Sequence, residues 1–174
     1  MTAATTPAPS QDTAPTSPPG TSTPVARGVA EPELSSGLVA FLQGGRSCVV
    51  ATIDPDGRPA TTLMTWLVAR SPDTLAVCVD TRSRAFRNLQ ERPGVAIELL
   101  GDDLVFGLKG RARVVRESMS TPPFPCALVL VSVDEVSDHG APGVRFTGPS
   151  YAFEPGKGHR AELERAVFDE LRQS

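Results

Sequence analysis

Leu104-Val105-Phe106-Gly107-Leu108-Lys109-Gly110-Arg111-Ala112-Arg113-Val114-Val115 is the stretch on which the reading of the fold turns. Side chains alternate across an extended backbone, so Leu104, Phe106, Leu108, Ala112 and Val114 share one face while Lys109, Arg111 and Arg113 share the other. One face requires a core and the other accepts water, which is the habit of antiparallel rather than parallel sheets.

Working outward, a second strong strand is expected over residues 126–136, after the proline-rich link Thr121-Pro122-Pro123-Phe124-Pro125. Upstream, Val95, Ile97 and Leu99 alternate against Ala96, Glu98 and Leu100 and predict its partner across the turn Gly101-Asp102-Asp103. Further back lie three more runs. Cys48-Val49-Val50-Ala51-Thr52-Ile53 is short, β-branched and apolar. Asp54-Pro55-Asp56-Gly57 turns it into a return strand over residues 58–70. A third run covers residues 74–80, after the turn at Ser71-Pro72-Asp73. Between residues 81 and 91 the period changes: Phe86 and Leu89 are three apart among arginines and Pro93-Gly94 closes the segment, so a short amphipathic helix is expected. Leu34, Leu38, Phe41 and Leu42 predict another helix ahead of the first strand, ended by Gly44-Gly45. Leu163, Val167 and Leu171 predict a C-terminal one over residues 158–172. The expected fold is therefore mainly β: a six-stranded antiparallel split β-barrel with a short inserted helix and a C-terminal helix.

The 174-residue chain fits one domain with tails. Residues 1–30 are rich in Thr, Pro and Ala, with Asp12 and Arg27 as their only charges, and predict a disordered tail. Residues 31–138 form the expected barrel domain, and residues 139–174 a loop and helix packing on the barrel or on a dimer partner. A net charge of −3 argues against a nucleic-acid partner. No stretch approaches the ~20 apolar residues of a membrane helix. Cys48, Cys78 and Cys126 sit singly in apolar runs, as buried free thiols of a reducing, cytoplasmic protein do, and no metal site is expected. No nucleophile elbow, phosphate loop or paired catalytic carboxylates occur, so no catalytic side chain is assigned.

The order of Val50-Ala51-Thr52, Asp56-Gly57-Arg58-Pro59, the segment from Asp80-Thr81-Arg82-Ser83-Arg84 through Ala85-Phe86-Arg87-Asn88-Leu89, Pro93-Gly94-Val95-Ala96-Ile97 and Lys109-Gly110-Arg111-Ala112 resembles the pyridoxamine 5′-phosphate oxidase-like, FMN-binding split barrels. The resemblance implies a homodimer with two flavin-sized clefts at the subunit interface, and an oxidoreductase-like function. In such proteins basic side chains of the second strand and a Ser-Arg-Lys-like turn hold the flavin phosphate. Ser83 and Arg84 match that turn, whereas its third position is Ala85. The strand's two basic positions fall at Thr62 and Leu67.

The cofactor-binding candidates are accordingly Thr62, Met64, Thr65, Arg82, Ser83, Arg84, Arg87, Lys109 and Arg111. Thr62 and Thr65 offer hydroxyls and Met64 packs near the ring, while Thr62, Met64 and Trp66, on one side of their strand, form a ring-stacking surface or a hydrophobic dimer contact. The arginines around Ser83 offer a phosphate cradle, or a solvated helix face. Lys109 and Arg111 would suit the longer anionic tail of a deazaflavin, or form the wet face of their strand. Some relatives bind haem through a C-terminal histidine, which places His139 in that reading. The rival reading is a cofactor-free dimeric barrel acting as a binding or structural module.

Overall fold

The computed structural model describes residues 30–101 and 103–173, and the predicted tail lies outside them but for Ala30. Among the described residues seven strands, β1 (Cys48–Ile53), β2 (Pro59–Met64), β3 (Leu67–Ser71), β4 (Thr74–Asp80), β5 (Gly94–Gly101), β6 (Leu104–Arg116) and β7 (Cys126–Asp138), join three helices, α1 (Ser36–Phe41), α2 (Arg84–Glu91) and α3 (His159–Gln173). All strand pairs are antiparallel, in the order β2-β1-β5-β6-β7-β4-β3.

The count of seven corrects the expected six, and the reason is local. The return strand predicted over residues 58–70 changes partner partway: Met64 lies opposite Cys48 of β1, whereas Leu67 lies opposite Val77 of β4. Only Thr65 and Trp66 separate the two halves, and at this corner the Trp66 carbonyl accepts from the Cys78 amide at 3.0 Å. Alternation continues through such a corner, so the sequence reads as one strand. β2 and β3 are the sheet's two edges and are not hydrogen-bonded to one another, so the ladder is open rather than closed into a barrel.

The β6 pattern is as its alternation dictates: Leu108, Gly110 and Ala112 are buried while Lys109, Arg111 and Arg113 are exposed. Its inward residues join Val50, Leu75, Val77, Ile97, Leu99, Val129 and Val131 in the main core, which also takes Leu34, Leu38 and Leu42 from and around α1. A second cluster covers the other face of β3, β4 and β7. There Val68, Ala76, Cys78, Cys126 and Leu128 meet Val167, Phe168 and Leu171 of α3. The two faces of β4 thus serve two cores, which explains its nearly unbroken apolar run.

Helix starts are fixed by side-chain caps. Ser35 Oγ accepts from the Leu38 amide at 3.3 Å, and Ser83 Oγ accepts from the Phe86 amide at 3.1 Å. Buried Asn88 holds α2 on β1, its amide donating to Thr52 Oγ1 at 3.0 Å and Asp54 Oδ1 at 2.8 Å. At the C-terminal end of α3, Arg70 Nε donates to the Leu171 carbonyl at 2.6 Å.

Candidate functional site

A cleft of about 490 Å³ opens at the Thr65-Trp66 corner, within the range typical of small-molecule sites. Four parts of the chain build it. β2 and the corner supply Thr62, Met64, Thr65 and Trp66; the end of β4 and the cap of α2 supply Cys78, Asp80 and Ser83. The proline-rich link supplies Phe124, and the C-terminal segment supplies Tyr151, Phe153, Arg160, Leu163 and Glu164. The sequence reading found the first two contributions and missed the last two, because nothing in residues 121–164 signals a shared location.

The walls are aromatic with a few placed polar groups. Trp66 and Phe124 stack with ring centroids 5.6 Å apart and planes inclined by 12°. Tyr151 and Phe153 meet edge to face at 6.1 Å. Glu164 Oε1 accepts from both Trp66 Nε1, at 3.2 Å, and the Tyr151 hydroxyl, at 2.7 Å. Burial, with the Glu164 carboxylate second, pushes the Tyr151 phenol well above its usual range, so it stays protonated as a donor. Cys78 and Cys126 line the floor as buried free thiols, each pushed up chiefly by burial, and so are poor nucleophiles.

The predicted residues are distributed between this cleft and its surroundings. Thr62, Met64, Thr65 and Ser83 line it. Arg82 stands at the rim with its guanidinium 5.9 Å from the Phe124 ring centre, and it forks onto Asp80 at 3.0 and 2.8 Å. Those bonds hold the Asp80 carboxyl down at about 2. Arg84 turns to Asp54 at 2.9 Å, and Arg87 donates to the Arg82 carbonyl at 3.1 Å. Lys109 and Arg111 lie elsewhere, on the outward face of β6, where Lys109 pairs with Glu135 at 2.8 Å and Arg111 approaches Asp134 at 3.9 Å. His139 also lies there, 3.1 Å from Glu98 through Nδ1. Among the described residues no cluster of His, Cys, Asp and Glu is arranged to hold a metal.

The family model for pyridoxamine 5′-phosphate oxidase matches residues 34–128. The chain belongs to that family, as the ordered motifs on β1, α2, β5 and β6 imply. Among solved structures it is similar to a candidate pyridoxamine 5′-phosphate oxidase from Lactobacillus delbrueckii, at 20% identity and TM-score 0.53, over 61% of this chain and 94% of that one. HupZ of Group A Streptococcus matches at 14% identity and TM-score 0.54, over 68% and 100%. An F₄₂₀ reductase matches at 17% and 0.52, over 60% and 98%. These likenesses show the fold. No curated protein matches the chain. No helix among the described residues is long and apolar enough to cross a membrane.

Proposed function

We propose that this chain is a flavin-binding, oxidoreductase-like member of its family, with FMN as the cofactor and the 490 Å³ cleft as its site. The observation that carries the reading is convergence. Thr62, Met64 and Thr65 come from one expected binding segment and Ser83 from another, and all four meet in one aromatic-walled cleft.

The ring of a flavin fits such walls, since planar heteroaromatics stack well on Trp and Phe faces. Thr62 and Thr65 offer hydroxyls to its polar edge, while the Tyr151 oxygen, its hydrogen given to Glu164, offers only an acceptor. Ser83 keeps its hydroxyl hydrogen free while its oxygen caps α2, and so remains a donor toward a phosphate. Bound FMN would supply hydride or electron transfer, and the protein would supply position and exclusion of water. The ladder is open between β2 and β3, which on this reading would be the slit of a split barrel. A homodimer is part of the proposal: Leu63 on edge strand β2 is 67% exposed, beside half-buried Val49 and Ala51 on the same outward face.

A cofactor-free dimeric module is the second reading. It is favoured by Asp80 and Glu164, two carboxylates in the lining, and by the commitment of Arg82 and Arg84 to carboxylates. Titration with FMN decides between them. Trp66 is the only tryptophan, so quenching of its emission reports on the cleft directly. Saturable quenching with a matching rise in melting temperature supports the flavin reading. A colourless protein showing neither response supports the module.

A further inference from the structure

Arg160 is the one cationic side chain among the described residues that line the cleft. It rises from the first turn of α3, an element that the motifs of the flavin site do not include. Three features of its setting point the same way.

It has no carboxylate partner among the ion pairs of the described residues, unlike Arg82 and Arg84. Glu164, one helical turn on, is the natural i,i+4 partner. That carboxylate is instead turned onto Trp66 and Tyr151, at 3.2 and 2.7 Å. Finally, a cation in a helix's first turn opposes the helix dipole, which favours anions there and cations at the other end. Arg160 is an exposed residue of the cleft lining, so its guanidinium is open to an anionic group entering from solvent.

We infer that Arg160 is the anion-recognising residue of the cleft: it holds the phosphate or other anionic group of the bound ring compound. The inference rests on the flavin reading and deepens it by naming the ligand class, a planar heteroaromatic carrying an anionic tail. Arg160 then acts with Ser83, so that α2 and α3 approach the anion from separate parts of the chain. The guanidinium makes charge-assisted bonds to phosphate oxygens, and the start of α3 adds its own attraction for negative charge.

The experiment compares FMN with riboflavin, which has the same ring without the phosphate, by quenching of Trp66 emission. The proteins are the wild-type chain, Arg160→Ala, Arg160→Lys and, as a control for net charge alone, Arg165→Ala on the same helix. Wild type is expected to prefer FMN by about tenfold or more, the size of one charge-assisted bond. In Arg160→Ala that preference collapses to within about twofold while riboflavin affinity holds; Arg160→Lys keeps part of it and Arg165→Ala all of it. Undiminished FMN preference in Arg160→Ala overturns the inference and leaves the flavin reading standing. Failure of wild type to bind either compound overturns both.

Discussion

Replacing Leu171 by alanine tests how α3 is held, and with it one wall of the cleft. The side chain is fully buried against Val68, Ala76, Leu128 and Phe168, between a helix and the stiff face of β3, β4 and β7. Truncation removes three carbon groups, worth about 2.4 kcal/mol at ~0.8 kcal/mol each. A sheet collapses poorly into the space left, so a cavity contribution adds to this, giving about 3–4 kcal/mol. For a chain of this size that corresponds to a fall of roughly 6–16 °C in melting temperature. Urea unfolding should be followed by far-ultraviolet dichroism and by Trp66 emission together. Trp66 packs against the same cluster, so one coincident transition at lower urea is expected. A loss below about 1 kcal/mol would refute this packing. An early Trp66 transition separated from the dichroic one would show that α3 is not part of a single cooperative unit.

Two further predictions concern the same region. Gly44 has φ +119° and an added Cβ would lie 2.6 Å from the Phe168 ring; Gly44→Ala should therefore destabilise by about 2 kcal/mol or more in urea unfolding, and a neutral result would show that α3 yields at this contact. Tyr151 is the only tyrosine, so its ionisation can be followed by absorbance without ambiguity. In Glu164→Gln its midpoint should fall toward the ordinary value while staying above it, because burial, the larger cause, remains. An unmoved midpoint would remove Glu164 as a cause.

Much of the fold was legible because water imposes a period on a half-buried strand. β6 and β5 each show the alternation their burial requires, whereas the unbroken apolar run of β1, which reads as buried on both faces, is fully buried on only one. What alternation cannot encode is the identity of a strand's neighbour, and the break at Thr65-Trp66 is a change of neighbour rather than of conformation. The site divides along the same line. Thr62, Met64, Thr65 and Ser83 were reachable from local motifs. Charge type alone could not say whether Arg84 would meet a ligand or Asp54, thirty residues back in the chain. Nor could it bring Tyr151, Arg160 and Glu164 to the corner, since their placement follows from the docking of α3 on the second core.

The two rims of the sheet are finished differently. Along β3 the Ala69 amide donates to the Leu42 carbonyl at 2.8 Å, and its own carbonyl receives the Gln43 side-chain amide at 3.1 Å, so the residues just past α1 cover that edge at Ala69. β2 has no such cover among the described residues: past Pro59, which lacks an amide hydrogen, its outer backbone faces solvent. An extended segment that lengthens this sheet at β2 would dock along Thr61, Thr62 and Leu63. Since Thr62 and Leu63 also line the cleft, such a segment would roof its entrance, and sheet growth and ligand entry would compete for one edge.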